Sequence, residues 1–75
     1  MGDIEKQIKT ILLENINKAI KENGLSIKEV AQKLCLDYSM AWRILHGQRG
    51  IKPEHIAKIA HMTCRTPNDF FYAKD

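Results

Sequence analysis

LSIKEVAQKLCLDYSMAWRILHG, residues 25–47, holds two short helix patterns separated by almost nothing. The first opens on Ser26 and Glu29, a capping-box pair. The hydroxyl accepts from the N–H of the third helical residue, while the carboxylate reaches back to the cap's own N–H. Leu25 and Val30 flank this start at the spacing of a hydrophobic staple. Ile27, Val30, Ala31 and Leu34 then recur at helical spacing, giving one apolar face about two turns long. The second pattern opens on Asp37, a good N-cap whose carboxylate the helix dipole also favours. Ala41, Ile44 and Leu45 form its inward face, and Gly47 ends it.

Only Cys35 and Leu36 join the two helices, too short a link for an antiparallel pair. They must cross steeply, which makes a helix-turn-helix over about residues 26–47. Ala31 is small enough for close approach, and Leu36 plugs the corner. The stretch resembles the lambda-repressor/Cro-like (XRE) helix-turn-helix family in Val30-Ala31, Leu34, Leu36, Ile44 and Gly47. It departs from that family's pattern at Cys35, usually glycine, and at Ala41, usually a larger aliphatic residue. A turn with φ > 0 costs a cysteine about 1 kcal/mol more than a glycine. Ile20 and Leu45 stand where the pattern commonly has arginine and glutamate, so an apolar pair is expected in place of a buried ion pair.

Helical spacing places Tyr38, Ser39, Trp42, Arg43 and His46 on the outward face, opposite Ala41, Ile44 and Leu45. The resemblance implies that this face enters the DNA major groove with its first turn at the base edges. Carried over position by position, the base contacts fall on Tyr38, Ser39, Trp42 and Arg43. Arg43 is the strongest specificity candidate, because its fork matches O6 and N7 of guanine. Ser39 pairs with several bases, and Tyr38 meets either a thymine methyl or a phosphate. An exposed Trp42 implies contact with DNA or a partner, the alternative being packing across the first helix. Phosphate contacts fall on Ser26 and Ile27 at the opening of the first of the two helices, and on His46, Gln48, Arg49 and Lys52. The family often has glutamine where Ile27 stands, so one polar contact to DNA is expected to be missing.

Upstream, Ile4, Ile8, Ile11, Leu12, Ile16, Ala19 and Ile20 trace a long apolar stripe between an Asp3 N-cap and the Asn23-Gly24 stop. The stripe reads as core, with Leu13 at its edge. Its first two turns exceed what the XRE pattern requires, so they either cover the bundle or meet another subunit. Downstream, the loop Gly47 to Lys52 lacks the spacing of a Walker loop. Pro53 suits the first position of a fourth helix, with Ile51 and Ile56 as its staple and Ile56, Ala57, Ile59 and Ala60 inward. Thr66-Pro67-Asn68-Asp69 repeats the cap grammar before a short fifth helix carrying Phe70, Phe71 and Tyr72. GQRGIKPEHIAKIA followed by TPNDFF also resembles the HigA-like antitoxin branch of the family.

The chain has 75 residues and a net charge of +3, which fits a single domain over residues 1–75 with no room for an effector-binding one. Residues 1–23 carry four basic and four acidic groups, whereas residues 24–65 carry seven basic against three acidic. The excess lies on the helix-turn-helix and the segment after it, which suits a polyanion. No apolar run spans a membrane and no signal-peptide core is present, so a cytoplasmic protein is expected. Cys35 and Cys64 read as reduced, buried thiols. His61 and Cys64 lack a second ligand pair for zinc, and no catalytic constellation appears, so neither a cofactor nor enzymatic activity is expected. The sequence thus predicts an all-α, five-helix XRE-type domain. It would bind double-stranded DNA as a homodimeric repressor. The alternatives are a HigA-like antitoxin with a toxin partner, and a protein-interaction module that kept the fold without operator binding.

Overall fold

The computed structural model describes residues 2–71. Four α-helices, α1 (Gly2–Glu22), α2 (Ile27–Leu34), α3 (Tyr38–Leu45) and α4 (Pro53–Met62), precede a 3-10 helix (Pro67–Phe71). No strand occurs among the described residues. The expected fifth α-helix is therefore a single 3-10 stretch. Five residues give too few i→i+4 bonds to offset helix nucleation. Pro67 opens it, the Asp69 carboxylate accepts from the Thr66 N–H at 3.1 Å, and the Asp69 N–H donates back to the Thr66 carbonyl at 3.0 Å. Tyr72, expected on this element, lies outside the described residues. So does the side chain of Asp3, but the backbone is already helical at Gly2, ahead of the expected cap.

The caps of α2 and α3 form as their sequences dictate. Ser26 Oγ accepts from the Glu29 N–H at 3.1 Å while Glu29 Oε1 accepts from the Ser26 N–H at 3.3 Å. Asp37 Oδ1 accepts from the Met40 N–H at 2.8 Å. All four helices stop in one way, with a left-handed residue followed by a six-to-one bond back into the last turn. The left-handed residues are Gly24, Cys35, Gly47 and Cys64, at φ 67, 58, 78 and 57°. The closing bonds run from the N–H of Leu25, Leu36, Gln48 and Arg65 to the carbonyls of Ile20, Ala31, Arg43 and Ala60. Both cysteines are free and exposed, not buried as expected. A residue at this turn points away from the helix it ends, so the apolar neighbours in sequence do not cover it.

The core gathers Leu12, Ile16, Ala19 and Ile20 from α1, Val30 and Leu34 from α2, Leu45 from α3, and Ile56, Ile59 and Ala60 from α4, with Phe70 fully buried among them. Ala31, Ala41 and Ile44 are buried too, and Leu25, Ile27, Leu36 and Ile51 pack at the margin. Burying Phe70 contributes about 1.5–3 kcal/mol, and the Asn15 amide holds its carbonyl at 2.8 Å, fastening the 3-10 helix to α1. Two inward assignments fail. Ala57 is exposed, while His55 takes the buried position on the opposite edge of α4. Ile4 and Ile8 are 65% and 49% exposed, so the first turns of α1 extend past the core.

Candidate nucleic-acid interface

α3 is held from behind and left open in front. Ala41, Ile44 and Leu45 are buried at 0–2% exposure, which fixes the opposite side of the helix toward solvent. Tyr38 is 55% exposed, and Ser39, Arg43 and His46 are exposed with it. These side chains share one outward strip, as their spacing implies. Trp42 differs from expectation. It is half-buried, and its ring stacks on His46, one turn further along α3, with centroids 3.9 Å apart and planes at 14°. One face of the apolar ring is thereby covered by His46.

His46 is further constrained by its Nδ1, 2.8 Å from the Trp42 carbonyl. A carbonyl only accepts, so Nδ1 carries the proton there. In the neutral ring Nε2 is then an acceptor, and it donates to a phosphate only when the imidazole is protonated.

The candidate phosphate contacts divide into two groups of unlike electrostatics. At the opening of α2, the Ser26 hydroxyl is engaged with Glu29, donating to Oε1 at 3.2 Å and accepting from the Glu29 N–H. The side chain of Ile27 packs against the core, so only its backbone faces outward polar chemistry. A carboxylate thus sits where a phosphate would approach, and Asp37 does the same at the opening of α3. Beyond the end of α3, Gln48, Arg49 and Lys52 are all exposed and no carboxylate caps the turn. The Lys52 N–H donates to His55 Nδ1 at 3.3 Å, so His55 fixes the entry to α4.

Two α1 residues reach this end of α3, and no local spacing announces them. Lys9 Nζ donates to the Gly47 carbonyl at 3.3 Å, placing a further cation beside the Gln48 to Lys52 loop. Asn17 Nδ2 donates to the Leu45 carbonyl at 3.0 Å. The fit is close: a Cβ on Gly47 would stand 3.2 Å from Leu13 Cδ1, at a φ that already favours glycine. Arg65, counted in the basic excess, is paired with Glu22 at 3.1 Å and adds little free charge.

Among the described residues no group of three or more His, Cys, Asp or Glu is placed to hold a metal ion. None of the described helices is long and apolar enough to cross a membrane. A family model described as helix-turn-helix matches residues 16–63, from the last two turns of α1 through α4. No curated protein and no solved structure matches the chain.

Proposed function

The chain belongs to the lambda-repressor-like (XRE) helix-turn-helix family of DNA-binding regulators, and on that premise we propose that it is a repressor binding a pseudo-palindromic operator as a homodimer. What carries the reading is the outward strip of α3, with Arg43 and Ser39 exposed in front of the buried Ala41, Ile44 and Leu45, and the basic loop at its end. Arg43, Ser39 and Tyr38 read base edges in the major groove. Trp42, half-buried beside them, joins them. Gln48, Arg49, Lys52 and Lys9 hold the sugar-phosphate backbone and set the register without carrying sequence information. Repression by occlusion asks only for a domain that stays on a promoter. A chain that works on DNA in this way acts in the cytoplasm.

Selection from fragmented genomic DNA tests the proposal. Recovered fragments should share an inverted repeat with half-sites about 10–10.5 base pairs apart, centre to centre, or a multiple of that. Binding that is equal on selected and scrambled fragments at moderate salt would remove the repressor reading. The likeness of GQRGIKPEHIAKIA and TPNDFF to HigA-like antitoxins supports a second reading, in which the same face binds DNA and a toxin is the partner. A toxin reading frame beside the gene, and co-purification of its product, distinguish the two.

A further inference from the structure

α1 runs past the core it belongs to. Leu12, Ile16, Ala19 and Ile20 are buried, whereas Ile4 and Ile8 stand 65% and 49% exposed. Ile4, Ile8, Ile11 and Asn15 follow one another at steps of four, three and four residues, which keeps them on one face of the helix. That face ends where the Asn15 amide holds the Phe70 carbonyl, and Phe71, next in the chain, is 44% exposed. Ile4, Ile8, Ile11 and Phe71 all lie outside residues 16–63, the stretch shared with the family.

We propose that this face is where two copies of the chain pair, with the first half of α1 lying antiparallel to its counterpart and Phe71 at the margin. Three observations favour a second copy as the occupant. The four-three step is the seam of a two-helix pair, in which each apolar side chain enters a hole on the facing helix. Residues 1–23 are electrically neutral while residues 24–65 carry a net +4, so this is the region in which identical copies meet without net repulsion. The third is reach. The molecule measures 34 × 24 × 18 Å, and a 21-residue helix is about 31 Å long, so α1 lies near the long axis. The exposed first turns of α1 therefore stand at an extremity of the molecule, open to a second copy.

The size of the patch sets the strength of the pairing. Three exposed apolar side chains make a patch of roughly 300 Å², against about 800 Å² per partner in a stable interface. The dimer is thus weak in solution and firm on DNA, a coupling that rests on the repressor reading; the surface itself does not.

Sedimentation over a wide concentration range tests the surface without DNA. The parent should gain mass with concentration toward two chains. Ile8→Glu should stay monomeric with an unchanged helical signal, since the site is exposed and glutamate is a good helix former. An equimolar mixture of Ile8→Glu and Ile8→Lys should regain the dimer, which a structural defect in either variant would not allow. On DNA, Ile8→Glu should keep its affinity for one half-site and lose cooperativity between two by about tenfold or more. A parent that stays monomeric throughout and fills two half-sites independently overturns the proposal, as does a dimer indifferent to Ile4→Glu and Ile8→Glu. Self-association that Ile8→Glu abolishes in a protein binding no DNA upholds the surface and removes the repressor reading instead.

Discussion

The side-chain amide of Asn17, on α1, donates both to the Leu13 carbonyl at 2.9 Å in its own helix and to the Leu45 carbonyl at 3.0 Å, 28 residues away at the end of α3. One NH₂ group thereby spans the first helix and the one whose outer face would read DNA. The Leu45 carbonyl belongs to the last turn of α3, where carbonyls lack partners within the helix. Asn17 is the element that fixes where that turn lies against α1, and Lys9 repeats the tie one residue pair further on, at Gly47.

Asn17→Ala is expected to be nearly silent in stability. The lost hydrogen bond is worth about 0.5–1.5 kcal/mol, and alanine returns about 0.6 kcal/mol of helix propensity in mid-helix. Asn17→Asp keeps the shape but sets a carboxylate against two carbonyl oxygens at an exposed site, and should destabilise by about 1 kcal/mol. Thermal melting reads the difference, at about 4–8 °C per kcal/mol for a domain of this size. Equal melting points for the two variants would show that the bond to Leu45 holds nothing.

Cys35→Gly and Cys64→Gly should each stabilise the protein. Both cysteines sit at φ near 58° and both are exposed, so glycine relieves backbone strain and forfeits little packing. Left-handed geometry costs an L-residue about 1–2 kcal/mol, partly offset by the greater freedom of glycine in the unfolded chain, so about 0.5–1 kcal/mol is expected at each site. The sites terminate different helices, and the double variant should show the sum. Denaturant midpoints at constant slope measure it.

How the chain announces these features differs from one to the next. The caps at Ser26 and Asp37 are legible because their chemistry lies within four residues, and the turn at Cys35 because a helix-turn-helix needs a left-handed residue there. Cys64 adopts the same turn, but no second helix starts at once to demand it, and its place among apolar neighbours suggested burial. Periodicity identifies an apolar stripe without saying how far the rest of the bundle extends, which is why the turns carrying Ile4 and Ile8 read either as cover for the bundle or as contact with another subunit. Ala57 and His55 exchange roles because alanine is small enough to face water at little cost, while the His55 ring finds a donor in the Lys52 N–H. Trp42 was legible as outward but not as stacked, since its partner depends on side-chain torsions. The ties from Lys9 and Asn17 cross 38 and 28 residues, a separation over which spacing carries no signal.

Leu45 is 2% exposed and shares the core with Ile20 at 6%, so the positions of a usual ion pair are apolar here. Leu45→Glu alone leaves a charge without a partner, at a cost of about 3–5 kcal/mol, enough to unfold much of a small domain. Adding Ile20→Arg should recover part of that loss. A single variant that melts like the parent would mean that the two side chains do not share an environment.

On the proposed reading, Arg43 and Arg49 separate base readout from backbone contact. Arg43 lies one turn after Ser39 on the exposed strip of α3, whereas Arg49 lies past the left-handed Gly47 in a loop bordered by Lys9. In the proposed docking, a guanidinium on the strip reaches a base edge and one in the loop only the backbone. Arg43→Ala should cost about 1–3 kcal/mol on the operator, relax preference at one base pair in each half-site and leave random DNA little changed. Arg49→Ala should weaken operator and random DNA alike and flatten the salt dependence by about one unit of slope. Titrations at several salt concentrations are needed, because a single affinity gives the same answer for both kinds of contact. Should Arg43→Ala lower both affinities in step while every base preference survives, Arg43 is a phosphate contact and readout passes to Tyr38, Ser39 and Trp42.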